Sequence, residues 1–219
     1  KMLNPKIKVI GVEPAGASCM KESLRQGKVV TLPQVNTIAD GTAVKRPGEK
    51  LFPYIQENVD EIITIDDNEL IVAFLDMVEN HKMIVENSGL LTVAALKHIK
   101  AEKKKIVSIL SGGNMDVITL SSIVQHGLIQ RDRVFTVSVL LPDKPGELAR
   151  VSSLLAEQHG NIIKLEHNQF ISINRNAAVE LRITMEAFGT EHKNQIVTAL
   201  TDAGYRPKLV KVKGTYSEM

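Results

Sequence analysis

Three short turns next to glycine residues carry side chains that could hold a charged small molecule. Glu13 and Pro14 follow one apolar run, residues 86–89 (Glu-Asn-Ser-Gly) follow a second, and residues 111–114 (Ser-Gly-Gly-Asn) follow a third. Each turn offers a carboxylate or a hydroxyl, and the backbone N–H groups at the start of the following helix are free to bind an anion. Glycine also lets a cofactor approach the backbone closely. Taken singly, each is also an ordinary turn.

A fourth turn, residues 142–148 (Pro-Asp-Lys-Pro-Gly-Glu-Leu), lies between a predicted strand and a predicted helix. Backbone N–H groups at a helix start attract a carboxylate, so this turn could bind a carboxylic acid. Two alternatives stay open from the residues alone: Gly146 could merely permit the turn, and Asn161 could merely follow a helix end.

The first 130 residues alternate strand and helix signals. Predicted strands at 8–12, 60–65, 82–85 and 105–110 precede predicted helices at 18–25, 67–79, 89–99 and 115–125. This spacing predicts an α/β fold with an open, mainly parallel sheet and flanking helices. Ligands bind such sheets beyond the carboxyl ends of the strands, where the first three turns and the loop 36–44 lie.

The last third predicts a different architecture, an α+β ferredoxin-like order of βαββαβ. The predicted strands are 134–141, 162–170, 177–185 and 205–212, with helices after 145 and at 191–203. Asp143 is the predicted cap of the first helix, with Pro145 in its first turn. Residues 126–133 break both periodicities and predict a linker, so the predicted domains are 1–130 and 131–219.

Composition narrows the class of protein. The 219 residues are 43% hydrophobic and 24% charged with a net charge of +2, which is typical of a globular protein. The short basic clusters lack interleaved aromatic residues and are weak evidence for nucleic acid, and no apolar run approaches a membrane span. A single cysteine, Cys19, excludes an internal disulfide and agrees with a cytoplasmic location.

The order of motifs carries a resemblance to a known family. The βαββαβ order, the turn 142–148 and Gly160-Asn161 resemble an ACT domain, an amino-acid-sensing module. Before it come Val-Glu-Pro at 12–14, Thr-Ile-Ala-Asp-Gly at 37–41, Val-Glu-Asn-Ser-Gly at 85–89 and Ile-Leu-Ser-Gly-Gly-Asn at 109–114. Together these resemble the C-terminal portion of the threonine ammonia-lyases (threonine dehydratases), which are fold type II (tryptophan synthase β-like) pyridoxal-phosphate enzymes.

The resemblance implies a carbon–nitrogen lyase that uses pyridoxal phosphate. The family converts L-threonine to 2-oxobutanoate and ammonia by β-elimination, and usually accepts L-serine. It implies isoleucine biosynthesis, allosteric control by isoleucine with valine as an antagonist, and a homo-oligomer, either a dimer or a tetramer. Two rival interpretations are a catabolic serine/threonine deaminase and a non-catalytic regulatory protein that binds amino acids.

Residue by residue, the resemblance assigns two sites. Ser111 matches a serine that hydrogen-bonds the pyridine nitrogen, Gly112 follows it, Gly41 matches a glycine bordering the cofactor ring, and Glu86 matches a carboxylate near the ring. A neutral hydroxyl at the ring nitrogen favours β-elimination, because it lessens delocalisation of charge into the ring. The effector residues carried over are Gly146, Glu147, Leu148 and Asn161, at an interface between two ACT modules.

Two features depart from the family pattern. Glu13, with the Ala17 carbonyl beside it, matches a cation ligand of relatives, but the further acidic ligand aligns with Cys19. A divalent cation, a monovalent cation and a structural role therefore all stay open for Glu13. The Ser-Phe-Lys-like motif of the Schiff-base lysine and the glycine-rich phosphate loop are missing, so no catalytic residue is assigned. We expect a C-terminal portion that does not turn over threonine alone.

Overall fold

A computed structural model describes residues 1, 3–100, 102–168 and 179–210. The chain divides into two compact units, Lys1–Val124 and Gln125–Met219. Within the described ranges, no helix is both long enough and apolar enough to span a membrane.

The first unit has a parallel pair of strands with helices around it. Strand β1 (Ile10–Pro14) pairs with β2 (Glu61–Ile65), and Val12 lies opposite Ile63. The helices of this part are α1 (Cys19–Gln26), α2 (Phe52–Asn58), α3 (Asp67–Asp76), α4 (Asn87–Ala94) and α5 (Val117–Gln130), the last of which crosses the boundary between the units. Short 3-10 turns cover Ala15–Ala17, Asp40–Thr42 and Ala95–His98, and a π turn covers Met77–His81.

Helix α3 begins where its sequence dictates. The side chain of Asp66 accepts a hydrogen bond from the N–H of Asn68, and that of Glu69 accepts one from the N–H of Asp66, which forms a capping box. Its apolar residues then enter the core of the unit, which includes the fully buried Leu70 and Phe74 beside Ile65 and Leu90.

Two predicted strands of this unit, 82–85 and 105–110, are not strands in the structure, and the described sheet of this unit has two members. The segment 105–110 lies along α4 instead. Thr92 Oγ1 donates to the Ile109 carbonyl over 3.0 Å, and Ser108 Oγ donates to the Thr92 carbonyl over 3.4 Å. A run of β-branched residues favours an extended backbone. A β-strand also needs a neighbouring strand to which its backbone can hydrogen-bond.

The break in periodicity at 126–133 does not end the helix, because α5 continues to Gln130. The linker between the two predicted domains stays a prediction. Leu128 and Ile129 extend the helix past Gly127, and only Asp132, at φ 53°, turns the chain before the next strand. Helix α2 was not predicted, although Pro53 lies in its first turn, where proline is common.

The second unit has the predicted βαββαβ order. Its elements are β3 (Val134–Leu141), α6 (Glu147–Glu157), β4 (Asn161–Asn168), β5 (Val179–Glu186), α7 (Thr190–Asp202) and β6 (Lys208–Val210). They form an antiparallel sheet in the order β4-β5-β3-β6. A parallel sheet with helices followed by this module confirms the predicted fold class.

Alternation along the strands builds the core of this unit. Phe135, Val137, Val139 and Leu141 of β3 are buried against α6 and α7, together with every second residue of β5 from Val179 to Met185. The opposite face of the sheet carries polar side chains beside the exposed Leu140. There Thr136 Oγ1 lies 2.9 Å from Thr184 Oγ1, and Ser138 donates to Glu180 over 2.6 Å.

Some boundaries of the second unit differ from the prediction. Gly146, at φ 93°, caps α6, and Asp143 does not, because the chain needs a left-handed residue directly before the helix. Strand β4 has a register shift between Ile162 and Lys164. The predicted strand residues at 169–170, 177–178 and 211–212 lie outside the described residues.

Candidate functional site

Three separated segments of the first unit converge at one cradle, which we define as the space around Gly41, Glu86 and Gly112. A Cβ placed on Gly41 would lie 2.9 Å from Ser88 Oγ and 3.6 Å from Glu86 Oε1. A Cβ placed on Gly112 would collide with the Glu86 carboxylate. The Glu86 side chain therefore lies close to both backbones, and at Gly112 only a glycine leaves room for it.

The carboxylate of Glu86 is held in the cradle. Its Oε2 accepts a hydrogen bond of 3.1 Å from the N–H of Asn114, and the side chain is partly buried. Gly112 has φ 82°, a left-handed conformation that a residue with a side chain rarely adopts. The turn 111–114 therefore depends on glycine both for its shape and for its contact with Glu86.

Ser111, the fourth residue that the sequence assigned to this region, is fixed through its backbone. Its carbonyl packs against Gly89 of α4 so closely that a Cβ on Gly89 would collide with it. The Ser111 residue is exposed. Gly41, Glu86, Ser111 and Gly112 thus lie in one region of the first unit.

The loop that carries Gly41 is tied to the starts of two helices. Asp67, the first residue of α3, accepts hydrogen bonds from Thr37 Oγ1 over 2.6 Å and from the N–H of Ile38 over 3.0 Å. Asn87, the first residue of α4, donates through Nδ2 to the Ile38 carbonyl over 2.9 Å. Sequence reasoning missed both side chains, since these contacts join residues far apart in the chain.

Two buried polar atoms beside the cradle lack a hydrogen-bond partner among the described residues. They are Oδ1 of Asn87, whose residue is 4% exposed, and Oγ of Ser88. Buried polar groups are normally satisfied, so unpaired ones often mark a place where a ligand or a water belongs. Both residues lie in the turn 86–89 that sequence analysis had singled out, but neither had been given a role.

Glu13 and Ala17 lie at the carboxyl end of β1, at a distinct place in the same unit. Glu13 accepts hydrogen bonds from the N–H groups of Met20 over 2.9 Å and Lys21 over 2.8 Å, at the start of α1. Cys19 Sγ is 3.9 Å from Glu13 Oε1, and burial first, then the Glu13 charge, raises the pKa of the thiol. Among the described residues, no group of three His, Cys, Asp or Glu could hold a metal ion.

The second unit has a cavity of about 310 Å³ at the turn that joins β3 to α6. Of the predicted effector residues, Gly146, Glu147 and Leu148 line it, and His167 of β4 lines its far wall. The remaining lining residues are Leu141, Pro142, Asp143, Lys144 and Pro145. Tyr205 OH donates to Glu147 Oε2 over 3.2 Å, and burial followed by the Glu147 charge raises the pKa of Tyr205.

Asn161, the fourth predicted effector residue, does not line this cavity in its own module. It begins β4 and pairs with Glu186, to whose carboxylate it donates over 2.8 Å. His167 lies near the other end of the same strand, roughly 20 Å away at about 3.3 Å per residue. One small ligand cannot contact Gly146 and Asn161 of a single module.

Comparison with known proteins matches both units. The model of the pyridoxal-phosphate dependent enzyme family matches residues 1–112, and that of the ACT domain matches residues 135–204. An L-threonine ammonia-lyase of Geobacter sulfurreducens is 36% identical over 95% of this chain and 52% of its own length. The biosynthetic L-threonine dehydratase IlvA of Salmonella typhimurium is 32% identical over 94% of this chain and 40% of its own.

A solved structure shares the fold of part of the chain. The processed form of threonine deaminase isoform 2 from Solanum lycopersicum is 36% identical, with a TM-score of 0.53 over 57% of this chain and 38% of that one. The chain spans about half the length of the curated relatives it matches. The match over residues 1–112, followed by the match over 135–204, shows that the chain belongs to the pyridoxal-phosphate dependent enzyme family and carries an ACT domain.

Proposed function

We propose that this chain belongs to a threonine ammonia-lyase, a carbon–nitrogen lyase that converts L-threonine to 2-oxobutanoate and ammonia under amino-acid control. The observation that carries the proposal is the identity of 36% with an L-threonine ammonia-lyase over 210 residues, which run through both units. A likeness confined to the first unit would support the cofactor alone, and one confined to the second would support effector binding alone.

The cradle has the features that a pyridoxal phosphate ring requires. It combines glycines where the backbone must come close, a carboxylate fixed by Asn114, and buried atoms of Asn87 and Ser88 that lack partners. The cofactor, when bound, supplies the electron sink for loss of the α-proton and of the β-hydroxyl. Gly41 and Gly112 would border the ring, and Glu86 would lie against it.

Ser111 is the residue that we assign to the pyridine nitrogen. Its residue is exposed, while its backbone is fixed by contact with Gly89, so the hydroxyl is carried on a rigid support. A hydroxyl is neutral and does not hold a proton on the ring nitrogen as a carboxylate would. Ser111 would therefore favour elimination over reactions that need a long-lived carbanion.

The cavity at the β3–α6 turn is our candidate for the effector site. Its volume of about 310 Å³ lies at the lower end of the usual range for small-molecule sites, about 300–1,000 Å³. Leu141, Pro142, Pro145 and Leu148 supply apolar walls, which suits a branched aliphatic side chain such as that of isoleucine or valine. Lys144 and the backbone at the start of α6 supply positive charge for a carboxylate.

The position of Asn161 supports an effector site that two modules share. Asn161 and the cavity lie at opposite ends of β4, so Asn161 would reach an effector only in a neighbouring copy. We therefore propose a homo-oligomer in which ACT modules pair. Sedimentation velocity with and without L-isoleucine tests this, and Asn161→Ala should weaken binding without changing the fold, since Asn161 is an exposed strand residue.

For Glu13, the proposal is a structural role. The two carboxylate oxygens already accept the N–H groups of Met20 and Lys21, and the residue next to them is a cysteine with a raised pKa. A cation at Glu13 and the Ala17 carbonyl would compete with those hydrogen bonds. A cytoplasmic location remains part of the proposal and is supported by the single cysteine.

Two titrations of the purified chain test the proposal. Isothermal titration with L-isoleucine, L-valine and L-threonine should give saturable binding of a branched-chain amino acid. Titration with pyridoxal 5′-phosphate, followed by near-ultraviolet circular dichroism, should give an induced signal that Gly112→Ala abolishes and Gly113→Ala retains, because a Cβ on Gly113 meets no atom within 4 Å.

Substrate assays then separate the rival functions. Because no residue of this chain is assigned as the Schiff-base lysine, we expect no ammonia from L-threonine with the chain and cofactor alone. Ammonia release would contradict that assignment. A preference for L-serine over L-threonine in the active enzyme would favour a catabolic deaminase. Effector binding with no cofactor signal would favour a non-catalytic regulatory protein.

A further inference from the structure

We propose that Asn87 and Asp67 act as a clamp on Ile38 that positions Gly41 in the cradle, with Asn87 as the positioning residue. This inference rests on the proposed cofactor role of the cradle. The clamp consists of one backbone residue, Ile38, held from both sides by side chains of two different helices.

The geometry of the clamp is nearly symmetrical. Asp67 Oδ2 accepts the Ile38 N–H over 3.0 Å, and Asn87 Nδ2 donates to the Ile38 carbonyl over 2.9 Å. Asp67 and Asn87 are the first residues of α3 and α4. Helices α3 and α4 share the buried core of the unit, so the two side chains project from a rigid base.

Gly41 follows Ile38 by three residues and lies beside Glu86 and Ser88. The short 3-10 turn between them is closed by a hydrogen bond of 3.0 Å from the Thr42 N–H to the Ala39 carbonyl. Ala39 is itself fully buried in the core. A displacement of Ile38 is therefore passed on to Gly41 and is not absorbed by a loose loop.

Asn87 is poorly explained as a stabilising residue. Its Nδ2 gains one hydrogen bond, while its Oδ1 is buried with no partner among the described residues. The hydrogen bond of Nδ2 raises the free energy of unfolding, and burial of the unpaired Oδ1 lowers it by a similar amount. What Asn87 does provide is direction, because its amide holds the Ile38 carbonyl against the start of α4.

Hydrogen–deuterium exchange of the chain without ligand tests the clamp directly. In Asn87→Leu, which keeps the approximate size and loses the amide, exchange in the peptides covering residues 38–43 should accelerate about fivefold. The melting temperature should stay within about 3 °C, because loss of the unpaired Oδ1 offsets the lost hydrogen bond and the carbonyl of the half-buried Ile38 can bond to water instead. Unchanged exchange in this loop would overturn the proposal.

The matched control is Asn58→Leu. Asn58 Nδ2 also donates to a backbone carbonyl, that of Tyr54, over 2.9 Å, but on α2. Asn58→Leu should leave exchange at 38–43 unchanged. Asp67→Ala should accelerate the same peptides, and the double variant should accelerate them by less than the product of the two single effects, because both act through Ile38. Fully multiplicative effects would contradict a shared clamp.

Titration with pyridoxal 5′-phosphate separates this inference from the proposed function. If the wild type binds the cofactor, Asn87→Leu should weaken binding about tenfold and Asn58→Leu should not. Equal affinity of the wild type and Asn87→Leu would show that the clamp has no role in binding and would overturn the positioning claim. If the wild type gives no cofactor signal, the cradle lacks support as a cofactor site in this chain, and the exchange at residues 38–43 alone decides whether Asn87 positions the loop.

Discussion

The two units of this chain use different means to hold their candidate sites. In the second unit, a four-stranded ladder fixes the strand ends that line the cavity, and two helices close the core behind it. In the first unit, the described sheet has two strands, and the cradle is held by side chains that bond to backbone groups of loops. A ladder distributes its constraint over many equivalent bonds, whereas the cradle depends on a few individual residues.

This difference predicts how each unit responds to change. A ladder tolerates the loss of one surface contact but not of a core residue that many neighbours share. A cradle built from individual contacts loses its shape when one glycine or one amide is replaced, even where the core stays intact. The four predictions below test that contrast, beginning with the largest effect.

Ile183→Ala should destabilise the second unit by about 2–5 kcal/mol, because Ile183 is fully buried at the centre of β5 and its loss leaves a cavity. Hydrogen exchange should show loss of protection in β3 and β5, while α3 and α4 keep theirs, since the two cores share no residue among those described. The control is Ile163→Ala, at a side chain that is 52% exposed. An equal loss of stability in Ile183→Ala and Ile163→Ala would contradict the expected dependence of this unit on its buried core.

Gly89→Ala should cost about 1–3 kcal/mol and displace the turn 111–114, because the new methyl group collides with the Ser111 carbonyl. Urea unfolding gives the cost, and the cofactor titration gives the effect on the cradle. Gly113→Ala lies in open space and should be near neutral in both measurements. A cradle that withstands Gly89→Ala would be less dependent on single contacts than the structure indicates.

Glu13→Gln should destabilise the first unit by about 1 kcal/mol. The amide of glutamine can no longer accept from both Met20 and Lys21, and the negative charge at the start of α1 is lost. Glu61→Gln removes only an exposed pair with Lys8 and serves as the control. Thermal unfolding is then measured with added K⁺ or Mg²⁺. A higher melting temperature of the wild type, but not of Glu13→Gln, would indicate that Glu13 binds a cation.

The smallest expected effect concerns the polar face of the second unit. The hydrogen bond from Ser138 lowers the pKa of Glu180, with a further contribution from Arg182. Such a carboxylate stabilises the folded state above its unfolded pKa, and that contribution is lost as the pH falls through the folded value. Ser138→Ala should raise the pKa of Glu180 and cost less than about 1 kcal/mol near neutral pH.

Carbon-13 NMR of the Glu180 carboxyl group measures this shift directly. Ser153→Ala, on the exposed side of α6, is the control and should leave the titration unchanged. A pKa of Glu180 that does not move in Ser138→Ala would mean that Arg182, and not the strand hydroxyl, sets it.

The fold of the second unit was predictable because buried and less buried residues alternate along β3 and β5. Such alternation indicates a strand and also shows which of its faces packs on the core. The turn at Gly146 was harder: Asp143 has the side chain of a helix cap, yet only the backbone angle of Gly146 decides where α6 begins. In the first unit, the runs at 82–85 and 105–110 have strand composition, but composition does not supply a neighbouring backbone.

The candidate residues show a similar limit. Gly41, Glu86 and Gly112 were assigned from the resemblance to a known family, and the structure brings them together. Asn87 and Asp67 could not be predicted, because their importance lies in what they bond to, namely a loop about thirty to fifty residues away. Asn161 was assigned to the effector site together with Gly146, but sequence order does not reveal which end of a sheet a residue occupies.

The register shift in β4 has a consequence for self-association. Among the described strands, β4 lies at one edge of the sheet, and an edge strand presents backbone groups that another strand can pair with. The shift between Ile162 and Lys164 interrupts the regular spacing of those groups, and Lys164 and Glu166 add charge beside it. A regular strand from another molecule that paired with β4 would lose backbone hydrogen bonds at the register shift or would bury the charges of Lys164 and Glu166. A register shift and flanking charges are features that hinder regular strand addition, and here both lie on an eight-residue edge strand.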